Sequence, residues 1–305
     1  MGSLQNRQAI IATHSTDFIR GVLAATEQAV ICRIERGSSV NNASLLGMPD
    51  VKELWTSPLL RSSHAIEGLL REGVVVCEGD ADARLYEAVL ENVSLPFARP
   101  VDLYFVHGGG KGALAAFAKA YRRLKVPTAV IADIDLLKNT AEFAAVYTAL
   151  GGDLGLIQAR LSSAVTQLAD QGAVLSFTEL ANGLREVIEA VESQKQLSVE
   201  SRRKATQLLD NAADWSEAKK YGIDKLKGGA RENLKALLRD CATVGLFLLP
   251  VGELEGWWRD GPATKRDWIV AALEALSSTP SAFPEARSFV AQVCAYFGYQ
   301  QPLQG

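Results

Sequence analysis

Carboxylates recur at three places where an apolar run ends. Val74-Val75-Val76-Cys77 leads into Glu78-Gly79-Asp80-Ala81-Asp82, Ala129-Val130-Ile131-Ala132 leads into Asp133-Ile134-Asp135, and the run Leu246 to Val251 is followed by Glu253-Leu254-Glu255. Glu78 and Asp82 are four apart across what reads as a strand-to-helix turn, so the first helical turn aims Asp82 back toward Glu78. Asp133 and Asp135 alternate by two and face the same side if the backbone is extended. Taken singly, an E-G-x-x-D or a D-x-D is more often a helix cap or a solvated loop end. Together in one crevice, so many carboxylates would repel one another and resist ionisation, a conflict that divalent cations resolve. Mg²⁺ or Mn²⁺ takes hard oxygen ligands, and two such ions about 3.5–4 Å apart stabilise both the attacking and the leaving oxygen of a phosphodiester displacement.

Other chemistries have less support. The three histidines, His14, His64 and His107, form no H-E-x-x-H, which argues against catalytic zinc. Cys32, Cys77, Cys241 and Cys294 are far apart with no C-x-x-C, so reduced, packing cysteines are expected rather than a zinc ribbon or a disulfide framework. The loop His107-Gly108-Gly109-Gly110-Lys111-Gly112 falls between a strand and a helix, so Gly109, Gly110 and Lys111 are candidates for contact with a substrate phosphate. A tight turn is the competing reading. The loop is not a Walker A motif, because Lys111 is followed by Gly112. Arg122, Arg123 and Lys125, and Arg202, Arg203 and Lys204, are short basic clusters that could track a DNA backbone, although solvated helix faces are the commoner outcome.

The elements that must position these residues read as a parallel α/β pattern from Gly73 onward: strand Val74 to Cys77, helix Asp82 to Glu91, strand Leu103 to Val106, helix Ala113 to Leu124, strand Ala129 to Ala132. In such sheets sites form outside the carboxyl ends of the strands, where both first clusters fall. Between Leu137 and Thr243 the strand signal vanishes while helical spacing persists, with Leu180, Leu184, Val187, Ile188 and Val191 on one stripe. An inserted helical domain is expected there. Leu246 to Val251 restores a buried strand, and helices from Thr264 and Pro284 follow. At the start, Met1-Gly2-Ser3 resembles an expression scar before Leu4. Ala9 to Ala12 reads as a strand, Asp17 onward as a helix with Phe18, Val22 and Leu23 on one face, and Ala29 to Ile34 as a strand. The polar stretch Arg36 to Ser44 reads as a loop or linker near a domain boundary.

The chain has 305 residues, 48% hydrophobic and 22% charged, enough for a full core and two domains. A net charge of -3 argues against a generally basic coat, so any DNA contact must come from a local patch or from bound metal. No run approaches the roughly 20 apolar residues of a membrane span, and no signal-peptide pattern opens the chain, so no membrane partner and a cytoplasmic location are expected.

An acid after one strand, a Gly-rich loop, then D-x-D after a later strand resembles the Toprim pattern, over about Gly73 to Leu137 plus the returning strand near Leu246. Within Toprim proteins, which include topoisomerases, primases and recombination factors, the chain is similar to the OLD (overcoming lysogenization defect) family of ATP-dependent nucleases. Ile10-Ile11-Ala12-Thr13-His14-Ser15, followed by Asp17-Phe18, resembles the strand and switch-histidine loop that ends an ABC-type ATPase core. Pro250-Val251-Gly252-Glu253-Leu254-Glu255-Gly256-Trp257 resembles the family's acidic motif after the last Toprim strand.

The resemblance implies an α/β Toprim fold, a Rossmann-like parallel sheet flanked by helices, with an inserted helical domain. It divides the chain into residues 1–45 as the truncated end of an ATPase domain, 70–153 as the first part of the Toprim domain, 154–243 as the insertion and 244–305 as the second Toprim part with C-terminal helices. It implies a metal-dependent DNA endonuclease of phage-defence type. Glu78, Asp82, Asp133, Asp135 and Glu255 would bind two Mg²⁺ or Mn²⁺ ions, with Glu253 an additional ligand and Ca²⁺ an inactive occupant. Lys265 resembles the lysine that stabilises charge on the scissile phosphate, with Lys111, Lys225 and Lys227 as alternatives. DNA, the missing ATPase domain and a helicase are the implied partners; no zinc and no ATP are expected on this fragment, where His14 is left structural. Two other readings stay open: a topoisomerase- or primase-like enzyme, for which Tyr86, Tyr104, Tyr121 and Tyr147 offer no evident nucleophile, and a regulatory Toprim module without catalysis.

Overall fold

The computed structural model describes residues 9–26, 28–36, 39–47, 66–92, 97, 99–170, 173–194, 197–213, 215–279 and 281–299. Met1 to Leu4 and His64 lie outside these residues.

The chain's first helix, α1 (Thr16–Ala25), is capped by the Ser15 hydroxyl, which accepts from the Phe18 amide at 3.2 Å. It buries Ile19 and Leu23, while Phe18 is exposed, so the inward face is shifted from the expected one. Ala9 to Ala12, read as a strand, has no regular structure, and Ile10 is exposed. The apolar run has no strand beside it among the described residues, and pairing rather than hydrophobicity makes a strand. The stretch Arg36 to Ser44, expected to be a linker, instead turns the chain back: β1 (Ile31–Arg36) pairs antiparallel with β2 (Asn41–Leu46), Ile31 opposite Leu46. The strand was hidden because only Leu46 of β2 is buried, so its polar residues carry no alternating apolar signal.

β3 (Gly73–Cys77), β4 (Leu103–His107), β5 (Thr128–Ala132) and β6 (Leu246–Leu248) form a wholly parallel sheet in the order β4-β3-β5-β6. Every residue of β3 and β5 is buried. This is why those strands read as unbroken apolar runs: a parallel sheet covered on both faces needs side chains inside on both sides of the pleat. Alternate residues divide the interior in two. Val74, Val76, Val130, Ala132, Leu246 and Leu248 join one core, and Val75, Cys77, Ala129, Ile131 and Phe247 the other. The second core is closed by α2 (Asp80–Asn92), and the first by α3 (Lys111–Arg123), α4 (Thr140–Ala149) and α1. The result is a three-layer α/β/α arrangement.

After α4 the chain is helical up to β6. α5 (Leu154–Ala169) runs antiparallel to a later helix, α9 (Gly228–Thr243), joined by an Arg160–Asp240 ion pair and by Asn233 donating to Gln167 at 3.1 Å. Both contribute to the first core through Ile157, Leu161, Leu234 and Leu237, so the two ends of the helical stretch meet the sheet together. Between them α6 (Phe177–Gln194) and α7 (Val199–Ala212) form a hairpin outside either core, with Leu180, Leu184 and Val187 turned inward and Ile188 exposed. At its neck the Leu175 amide donates to the Asn211 carbonyl at 3.0 Å and the Val174 amide to the Ser216 hydroxyl at 2.8 Å. The short α8 (Ser216–Tyr221) and a 3-10 turn, Gly222–Asp224, lead into α9. α10 (Lys265–Ser278) and α11 (Pro284–Tyr296) complete the second face through Trp268, Leu276 and Val290. No helix among the described residues is long and apolar enough to cross a membrane.

Candidate metal centre

β3 lies at the middle of the sheet, with β4 on one side and β5 on the other, so the connections leave β3 and β5 in opposite directions. In an open parallel sheet such a switch point leaves a crevice at the carboxyl ends of the two strands, where Glu78 and Asp133 follow the last strand residues directly. A carboxylate oxygen from each of Glu78, Asp133 and Asp135 lies within 4.8 Å of the others. Asp135 reaches this point by a route other than the extended backbone expected. Asp133 is extended, but Asp135 sits in the first turn of a 3-10 helix, Ile134–Lys138, closed by the Leu136 amide donating to the Asp133 carbonyl at 3.1 Å.

Asp82, in the first turn of α2, is buried and folds back so that its carboxylate accepts from the Gly79 amide at 3.1 Å. Glu253 arrives on the loop after β6, and Glu255 in the first turn of a 3-10 helix, Leu254–Trp257. The strand itself stops at Leu248, shorter than the run to Val251 suggested, yet the ladder is prolonged by the Leu249 amide donating to Ala132 at 3.0 Å. The loop is then tied to the D-x-D loop by the Ile134 amide, which donates to the Gly252 carbonyl at 2.9 Å. Two chain segments distant in sequence thereby present acids to the same crevice.

Burial pushes the carboxyls of Glu78, Asp82, Asp133 and Glu253 above the ordinary range, Asp133 well above it. Neighbouring acids add to the shift: Glu78, Asp82 and Asp135 act on Asp133, and Glu255 acts on both Asp82 and Glu253. Three ammonium groups oppose this charge. Lys111, the first residue of α3, pairs with Asp135 and stands 4.0 Å from Glu78. Lys265, the first residue of α10, faces Glu255, Asp82, Asp133 and Glu78. Burial alone would lower its ammonium, but those acids outweigh burial and raise it.

The third ammonium, Lys219 of α8, was not among the sequence candidates; it lies 3.6 Å from Glu253 and 3.9 Å from Asp135. A lysine in a helical stretch rich in other lysines gives no local signal. The detectable hint is Gly222, three residues on, whose φ of +55° marks a turn that must come close to something. Of the other lysines considered, Lys225 pairs with Glu217 and stacks over the Tyr221 ring rather than joining the cluster.

The Gly-rich loop has a structural task as well as an open edge. Gly109 and Gly110 have φ of +76° and +125°, and the Gly110 amide donates to the Glu78 carbonyl at 2.8 Å, which fixes the start of α3 and so aims Lys111 into the acids. His14 is exposed, and Cys32 is exposed rather than packed, while Cys77, Cys241 and Cys294 are buried and free. Tyr86, Tyr121 and Tyr147 are buried, and the Tyr86 hydroxyl accepts from the Trp257 indole at 3.1 Å.

The donor set fits a hard divalent cation. Three carboxylates converge, Asp133 is 5% exposed, and Glu78 Oε2 is buried with no hydrogen-bond partner among the described residues. The fold and this cluster define a TOPRIM α/β module. A family match points to the particular type: residues 69–135 match the TOPRIM domain described as overcoming lysogenization defect protein-like, so this segment is similar to OLD-like TOPRIM domains. The match spans Glu78, Lys111 and both D-x-D acids and stops short of Lys219, Glu253, Glu255 and Lys265. A search of curated proteins and of solved structures finds no match to the chain.

Proposed function

We propose that the crevice hydrolyses DNA phosphodiester bonds as a metal-dependent endonuclease. The observation that carries this reading is the convergence of Glu78, Asp133 and Asp135 at the switch point, with a buried Glu78 oxygen left unpartnered among the described residues. Glu78, Asp133 and Asp135 would hold one divalent ion, and Asp82, Glu255 and Glu253 a second. Bound Mg²⁺ or Mn²⁺ supplies activation of the attacking water and stabilisation of charge on the scissile phosphate.

The chain's own groups do the rest. Lys265 is turned toward Asp82 and Glu255, where it can neutralise charge that builds on a phosphate oxygen. Lys111 and the adjacent Gly109 and Gly110 backbone offer a second place for a substrate phosphate, since a Cβ at either glycine would meet nothing within 4 Å among the described residues. The local cations matter because the chain as a whole is acidic, so DNA must be held at the crevice and not by bulk charge. A tyrosine nucleophile is disfavoured because Tyr86, Tyr121 and Tyr147 are buried and the Tyr104 hydroxyl donates to Glu67 at 3.0 Å.

The test is plasmid nicking by the purified chain in Mg²⁺ and in Mn²⁺, beside Asp133→Ala and EDTA controls. Metal-dependent nicking that Asp133→Ala abolishes is the expected result. Equal nicking by both proteins would overturn it.

A further inference from the structure

Lys219 differs from the other two lysines at the crevice. It comes from the helical stretch between β5 and β6, and its backbone is locked to the loop that carries Glu253. The Ile223 amide donates to the Pro250 carbonyl at 2.9 Å. A Cβ on Gly222 would lie 2.0 Å from the Pro250 carbonyl oxygen, and one on Gly252 would lie 2.0 Å from that of Lys219. Two glycines therefore let the backbones touch, and Ala218 beside Lys219 is fully buried.

The Lys219 side chain is not so confined. Its ammonium stands between Asp135 and Glu253 with 43% of the side chain exposed, whereas Lys111, set between Asp135 and Glu78, is 24% exposed. A four-carbon stem on a fixed backbone can swing its charge over several ångströms. A divalent ion held by Asp135 would repel an ammonium at this range and remove its reason to stay.

Resting on the phosphodiesterase reading above, we propose that Lys219 is a counter-ion switch: its ammonium occupies Asp135 and Glu253 in the metal-free protein and, once metal binds, turns outward to take a phosphate of the bound DNA. Metal binding then creates a DNA contact as well as a reaction centre. The helical stretch thereby couples the two events.

The experiment uses the whole chain as wild type, Lys219→Met and Lys219→Arg. Mn²⁺ affinity is measured by titration calorimetry, and affinity for a labelled duplex by fluorescence anisotropy, in Ca²⁺ and in EDTA. Lys219→Met is expected to bind Mn²⁺ about three- to tenfold more tightly, because a competing cation is gone. It should bind duplex several-fold more weakly in Ca²⁺ and equally in EDTA, with Lys219→Arg close to wild type in all three. Opposite shifts in metal and DNA affinity are not what damage to the fold produces, and Lys219→Gln, with a polar stem, should repeat them. Weaker Mn²⁺ binding by Lys219→Met, or equal loss of DNA affinity in EDTA, overturns the switch. If wild type binds Mn²⁺ and duplex but Lys219→Met changes neither, the switch alone falls. If wild type binds neither, the nuclease reading falls with it.

Discussion

Asp133 stands where the demands of folding and of chemistry oppose each other. Burial and three neighbouring acids raise its carboxyl well above the usual range, so in the metal-free fold the ionised form is a cost. A carboxyl raised in the folded state contributes stability at low pH that is lost as pH rises through its folded value. Asp133→Asn should therefore melt at or above the wild-type temperature at pH 7–8 without metal, with the advantage shrinking as pH falls. It should also lose the rise in melting temperature that Mn²⁺ gives the wild type; a lower metal-free melting temperature at pH 8 would contradict this. Asp17, exposed on α1, is the control, and Asp17→Ala should match wild type in nicking and in melting. Glu72 is the mirror case. Burial would raise it, but hydrogen bonds from Arg99 and Tyr299 outweigh burial and lower it, so its stability is present above about pH 4.3 and lost as pH falls through the folded value. Glu72→Gln should cost about 0.5 kcal/mol at pH 7, a small figure because the pair is half exposed, and nothing at pH 2, as urea titrations at the two pH values would read. The acids themselves were legible in the sequence because each cluster ends an apolar run. Lys219 was not, since the acids it meets, Asp135 and Glu253, lie on two segments far from it in the chain and no period or motif records such a meeting.

Among the elements, the Gly222 turn shows how the helical stretch is fastened. A methyl group there meets backbone 2.0 Å away and a φ of +55°, whereas one at Gly109, with φ of +76°, meets nothing within 4 Å. Gly222→Ala should cost about 3 kcal/mol or more, and Gly109→Ala about 1–2 kcal/mol from backbone strain alone. Denaturant titrations of the two variants separate steric cost from conformational cost; equal losses would mean that the backbone contact at Gly222 relaxes. The elements that could be read from sequence were those whose apolar pattern and burial agree. β3, β5, α3 and the helices after Thr264 fall within a few residues of their expected bounds. β1 and β2 form a hairpin that the polar residues of β2 conceal, and β6 is a three-residue strand because Pro250 and Gly252 end the ladder.

At the scale of the molecule, two cores share one sheet and the crevice opens where they meet. The N-terminal hairpin is fixed to this body by Arg33, a buried guanidinium that donates to the Leu69 carbonyl at 3.0 Å, to the Lys125 carbonyl at 3.3 Å and to Arg71, and pairs with Glu35. α5 and α9 lie within the first core, so the helical stretch is continuous with the sheet there, and the α6–α7 hairpin is the part outside. Replacing residues 177–209 with a short glycine turn should leave the Mn²⁺-dependent rise in melting temperature in place, measured by differential scanning fluorimetry; its loss would show that the hairpin supports the acids. The neck at Leu175 and Asn211, already joined backbone to backbone, has a practical consequence. It is a port at which chain length can change without a new closure, so a fluorescent protein or affinity module grafted between these two residues would report on the molecule while leaving both chain ends and the acidic crevice untouched.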